Sequence, residues 1–123
     1  MEPRESHVLV ADDEPQVLTL FERLLNRAGY AVTAVPSGAA ALEAMANQRV
    51  DLLILDLNMP SPDGFDLLRT LRKSKPGLRV LVVSGDVDAA PVLPATKFLG
   101  ATAWLNKSDA ARLLVPTVNT LLH

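Results

Sequence analysis

The chain of 123 residues fits one domain with a sizeable core, since single domains commonly hold roughly 100–150 residues. With 49% hydrophobic residues, 21% charged residues and a net charge of −2, it has the balance of an ordinary globule, which excludes a disordered chain and a general basic surface for nucleic acid. The absence of cysteine excludes a disulfide framework and a thiolate metal site. The first seven residues lack the apolar core of a signal peptide, and no apolar run approaches the ~20 residues needed to cross a bilayer. The expectation is a cytoplasmic protein that contacts neither nucleic acid nor membrane directly.

Val8 to Ala11 is a short apolar run that stops at Asp12-Asp13-Glu14 and predicts a first strand ending in carboxylates. Pro15 suits the first turn of a helix, where its missing N–H is no loss. Val17, Leu18, Phe21, Leu24, Leu25 and Ala28 recur at helical spacing, and Gly29 marks the stop. Ala31 to Val35 predicts the second strand, Ser37 a helix cap, and Ala39 to Ala46 a short alanine-packed helix. Leu52 to Leu55 is a continuous apolar run, the pattern of a central parallel strand buried on both faces, and it ends at Asp56. Asp56 can be read as a site residue at a strand's C-terminal end or as the start of a turn completed by Pro60, Asp63 and Gly64.

Asp63 can cap a third helix carrying Phe65, Leu68 and Leu71 and ending near Lys75-Pro76-Gly77. Arg79 to Val83 predicts the fourth strand, followed by Ser84-Gly85-Asp86. Pro91 and Pro94 require the fourth helix to start late, be short or be kinked. Ala101 to Leu105 predicts the fifth strand, followed by Asn106, Lys107 and Ser108. Ala111, Leu114, Val115, Val118, Leu121 and Leu122 then outline a fifth helix. Pro116 lies inside it, and an interior proline costs about 3 kcal/mol, so a bend or restart is expected there. His7 and His123 read as surface or terminal residues rather than ligands.

Strands alternating with helices, joined by right-handed crossovers, predict a flavodoxin-like (βα)₅ doubly wound five-stranded parallel sheet of order 2-1-3-4-5. In that order the first and third strands are neighbours, so Asp12, Asp13 and Asp56 converge, with Ser84 and Lys107 arriving from the other side. Carboxylates gathered at one place repel one another, and a hard divalent ion such as Mg²⁺ relieves the conflict while keeping positions for a phosphate. Lys107 and the Ser84 hydroxyl suit phosphoryl oxygens, and a carboxylate can itself be a nucleophile, so Asp56 could accept the group. Against this stands the reading that Lys107 merely neutralises a buried acidic cluster.

Four pieces, Ala11-Asp12-Asp13-Glu14-Pro15, Asp56-Leu57-Asn58-Met59-Pro60 with Asp63-Gly64, Val83-Ser84-Gly85, and Gly100-Ala101 leading to Trp104-Leu105-Asn106-Lys107, closely resemble the receiver domain of two-component response regulators. The resemblance covers nearly the whole chain, so residues 1–123 are expected to form a single receiver domain. It implies a phosphorelay switch that takes a phosphoryl group from a sensor histidine kinase or phosphotransfer protein onto Asp56 and signals to a downstream protein or domain, without being a turnover enzyme. It implies Mg²⁺ held directly by Asp13 and Asp56, mainly through water by Asp12, and by the Asn58 backbone carbonyl. Ser84 would be the hydroxyl that moves to the phosphoryl group, and Lys107 its ion-pair partner.

The chain departs from the family where Ser108 replaces the proline that usually follows the lysine through a cis bond. A non-proline cis bond costs about 2.5–4 kcal/mol, so this stretch is expected to take another course. Trp104 stands where the family usually has a tyrosine or phenylalanine switch, and can be read either as that switch or as an aromatic packed on the last strand. Two further functions compete. A docking module working without phosphorylation would not need the full acidic set, and a haloacid-dehalogenase-like phosphatase would carry a second aspartate where Asn58 stands. A flavin site is disfavoured because Asp12-Asp13-Glu14 replaces the hydroxyl-rich loop a flavin phosphate needs.

Overall fold

The computed structural model describes residues 6–59, 64–85 and 100–123. Over them the chain forms β1 (His7–Ala11), α1 (Pro15–Arg27), β2 (Ala31–Val35), α2 (Gly38–Asn47), β3 (Leu52–Asp56), α3 (Gly64–Ser74), β4 (Arg79–Ser84), β5 (Ala103–Asn106) and α4 (Lys107–Leu122). All neighbouring strands are parallel, in the order β2-β1-β3-β4-β5. This is the doubly wound arrangement read from the alternation of strands and helices. Pro60, Asp63, the Phe65 side chain, and the stretch 86–99 with Pro91 and Pro94 lie outside the described residues.

The period-two alternation of strand side chains divides the core into two layers. On one face Leu9, Leu53, Leu55, Val80 and Val82 meet Ala41 and Met45 of α2 and Leu67, Leu68 and Leu71 of α3. On the other, Val8, Val10, Leu52, Ile54, Leu81 and Val83 meet Phe21 and Leu25 of α1 and Ala110, Leu114 and Val118 of α4. Every residue of β3 is buried, because both faces of this central strand are covered. The edge strands β2 and β5 are only partly buried.

Local signals decide the helix ends. At the end of α1, Gly29 adopts φ 96°, its N–H donates to Asn26 O, and the Tyr30 N–H donates to Leu25 O, which satisfies carbonyls left open by the last turn. The Ser37 hydroxyl accepts the Ala40 N–H at 3.1 Å and caps α2.

Three expectations are corrected. First, of the bend or restart expected at Pro116, the restart does not occur, since α4 is one helix through that position. Arg112 and Pro116 both lie on its exposed side, so the carbonyl deprived of its donor faces water, which lowers the cost. Second, Ala110 rather than Ala111 belongs to the buried stripe of α4, and Ala28 is exposed at the α1 cap. Third, His7 is tied into the sheet, with Nδ1 2.7 Å from Arg49 O and Nε2 2.7 Å from Thr33 Oγ1. It thus joins the beginning of β1 to β2 and to the approach to β3, while His123 remains exposed. Among the described residues no helix is long and apolar enough to cross a membrane.

Candidate functional site

Strand register brings the site together. Ala11 pairs with Leu55, Asp56 with Val83 and Ser84 with Asn106, so the C-terminal ends of β1, β3, β4 and β5 finish side by side. Asp12, at 0% exposure, Asp56 at 1% and Ser84 at 0% are the buried polar or charged side chains among the described residues, and all three lie at this edge. Burying a carboxylate is costly without partners, so such clustering calls for compensation close by.

Part of it is local. The Glu14 N–H donates to Asp12 Oδ1 at 2.9 Å and the Asn58 N–H donates to Asp56 Oδ1 at 3.0 Å, the same short turn in which a side chain accepts from the backbone two residues on. Each carboxylate is thereby oriented by its own strand end. The rest comes from Lys107, the first residue of α4, whose Nζ lies 2.7 Å from Asp12 Oδ2, 3.0 Å from Glu14 Oε1 and 3.2 Å from Asp56 Oδ2. The contact with Asp12 is an ion pair without hydrogen-bond alignment, which leaves buried Asp12 Oδ2 without a hydrogen-bond partner.

No loop separates β5 from α4, and Asn106 starts the helix without a side-chain cap. A cation in the first turn faces the positive end of the helix dipole, and here the three carboxylates outweigh that repulsion. Gly85 permits the approach, since a Cβ at that position would lie 3.2 Å from Lys107 Cδ. Burial alone would push the Lys107 ammonium down, but the carboxylates of Asp12, Glu14 and Asp56 together hold its pKa well above the usual lysine value. Burial dominates at Asp12 and raises its carboxyl above the usual value, against the opposing pull of Lys107 and of the Glu14 amide. Both partners of one ion pair thus shift upward, Lys107 through its three acids and Asp12 through its burial.

Oxygens of Asp12, exposed Asp13 and Asp56 all lie within 4.8 Å of one another. With Glu14, four carboxylates gather at these strand ends, and three of them pair with the Lys107 ammonium. The negative excess of this cluster fits a further cation.

A family model described as the response regulator receiver domain matches residues 8–119. The chain belongs to that family. Among curated relatives, it is 33% identical over 116 residues to the TorCAD operon transcriptional regulatory protein TorR of Escherichia coli, covering 94% of this chain and 50% of TorR. It is 37% identical over 122 residues to the sensory/regulatory protein RpfC of Xanthomonas campestris, covering 96% of this chain and 17% of RpfC. The receiver thus spans half or less of these two relatives. Among solved structures, the chemotaxis protein CheY4 of Vibrio cholerae superposes with a TM-score of 0.87 at 27% identity, over 97% of this chain and 100% of that one. The response regulator TrrA of Thermotoga maritima, solved in complex with Mg²⁺ and BeF, gives 0.84 at 27% identity over 95% of this chain and 99% of that one.

Every residue expected at the receiver site, Asp12, Asp13, Asp56, Asn58, Ser84 and Lys107, stands at this edge of the sheet. Two contacts were not legible in the motifs. Glu14 pairs with Lys107, and the exposed Asn58 donates its side-chain amide to Ser84 Oγ at 3.0 Å. The only sequence signal for the first is a third acid directly after Asp12-Asp13. The second has none, because it joins residues 26 apart through strand order. Trp104 is partly buried, sits opposite Val82 and packs against the core layer covered by α2 and α3.

Proposed function

We propose that this receiver is a phosphorylation-activated signalling switch whose phosphoacceptor is Asp56. The observation that carries the reading is Lys107 Nζ lying between the buried Asp12 and Asp56 carboxylates, in a cluster that still carries excess negative charge. A docking module would not require burial of two acids beside a shared cation, which costs stability.

A phosphohistidine of a sensor kinase or phosphotransfer protein presents its phosphorus to Asp56. A carboxylate oxygen attacks, the phosphorus–nitrogen bond breaks, a phosphorus–oxygen bond forms, and the imidazole leaves with the bonding electron pair. Mg²⁺, held by Asp12, Asp13, Asp56 and the Asn58 backbone carbonyl, would supply positive charge for the phosphoryl oxygens. Lys107 exchanges part of its pairing with Asp12 and Glu14 for a phosphoryl oxygen, and the Ser84 hydroxyl donates to another. Attack of water on phosphorus later releases phosphate and restores the carboxylate. The domain's product is its own modified state, read by a downstream protein or domain in the cytoplasm, so it is a switch rather than a turnover enzyme.

The test is incubation with acetyl phosphate and Mg²⁺ followed by intact mass measurement. The parent should gain the mass of one phosphoryl group and Asp56→Asn should gain none. An unchanged parent mass would favour docking without phosphorylation, and equal uptake by both proteins would remove Asp56 as the acceptor.

A further inference from the structure

Asn58 touches both the carboxylate that would be phosphorylated and the hydroxyl that would respond. Its backbone N–H donates to Asp56 Oδ1 at 3.0 Å, which fixes the residue against the end of β3. Its side-chain Nδ2 donates to Ser84 Oγ at 3.0 Å, across to the end of β4. We infer that Asn58 is a positioning residue: its side-chain amide holds the Ser84 hydroxyl in a resting position, and release of that bond sets how readily the hydroxyl turns to a phosphoryl group on Asp56. The inference rests on Asp56 being the phosphoacceptor.

The two ends of this bond have unequal environments. Ser84 is fully buried, so its oxygen gains from the amide a donor that bulk water cannot readily replace. Asn58 is exposed, so its released amide is taken up by water at little cost. The bond therefore favours the resting position by the modest net worth of one neutral hydrogen bond. That is strong enough to bias an equilibrium and weak enough for a phosphoryl charge to overcome. Turning toward a phosphoryl oxygen on Asp56 draws Ser84 Oγ away from the Asn58 amide, whose backbone stays tied to Asp56, so the two arrangements compete. Removing the side chain should thus favour the phosphoryl-engaged state by roughly three- to tenfold.

Asn58→Ala removes only the side-chain donor. The backbone N–H on Asp56 and the backbone carbonyl remain, and an exposed residue can be truncated without opening the core. Beryllofluoride with Mg²⁺, used as a phosphoryl mimic and titrated calorimetrically, should bind Asn58→Ala roughly three- to tenfold more tightly than the parent. In a Ser84→Ala background the same substitution should change the affinity by less than about twofold, since the effect passes through the hydroxyl. Unchanged or weaker binding by Asn58→Ala overturns the inference, as does an equal gain in the Ser84→Ala background, which would mean that Asn58 acts on the ligand itself. A parent that binds no beryllofluoride defeats the phosphoacceptor reading. Binding by the parent with no effect of Asn58→Ala defeats the positioning role alone.

Discussion

Replacing Lys107 by methionine keeps the stem that passes Gly85 and removes the charge shared by Asp12, Glu14 and Asp56. Asp12 and Asp56, at 0% and 1% exposure, then face each other without the ammonium. Removing one partner of a buried ion pair costs about 3–5 kcal/mol. Asp13 is exposed and Glu14 half-exposed, which opens one side of the cluster to water and places the cost near the lower figure. For 123 residues at ~2.1 cal/mol/K each, the unfolding entropy is about 0.26 kcal/mol/K, so a loss of about 3 kcal/mol lowers Tm by roughly 12 °C. The pH dependence has a definite sign. Burial raises the folded Asp12 pKa, so its neutral form is favoured by folding at low pH and that advantage is lost as pH rises through the folded value. The deficit of Lys107→Met should therefore be full at neutral pH and should narrow in acid. In the parent, the raised Lys107 pKa gives stability that is fully present below the ordinary lysine value and is lost as pH rises through the folded value. Scanning calorimetry without divalent ions at neutral and acid pH measures both effects, and added Mg²⁺ should restore more stability to the variant than to the parent. A neutral-pH Tm equal to the parent's, or a deficit that persists undiminished in acid, would refute this account of Lys107.

Two further outcomes follow from individual residues. Trp104, three positions before Lys107 on β5, should change its fluorescence little with Mg²⁺ alone and more with Mg²⁺ and beryllofluoride. Asp13→Ala should abolish the metal-dependent part, and an unchanged spectrum in protein shown by mass to be phosphorylated would rule Trp104 out as a reporter. Gly100 adopts φ 103°, its carbonyl accepts from Arg72, and a Cβ there would overlap the Arg72 guanidinium, so Gly100→Ala should cost about 2 kcal/mol. Its urea unfolding midpoint should fall accordingly, and a midpoint equal to the parent's would contradict the strain argument.

Elements governed by neighbouring residues could be read from the sequence alone. The apolar run from Leu52 to Leu55 marks a strand buried on both faces, the α1 stop at Gly29 follows from the left-handed conformation a glycine tolerates, and the Ser37 cap follows from a hydroxyl placed before an alanine-rich helix. Acids at the ends of β1 and β3, with Ser84 and Lys107 at the ends of later elements, were enough to foresee that these groups gather at one side of the sheet, because an alternating chain with right-handed crossovers has few arrangements that bring those ends together. Tertiary structure decided what depends on three-dimensional register. Which alanine of α4 is buried turns on a rotation of one residue, and Pro116 is tolerated because its side of the helix faces solvent. The binding of His7 to Thr33 and Arg49, of Lys107 to Glu14 across 93 residues, and of Asn58 to Ser84 across 26 has no local signature. Hydrogen bonds and ion pairs act over about 3 Å, so they are settled only when packing has fixed the strand ends and the helix start to that precision.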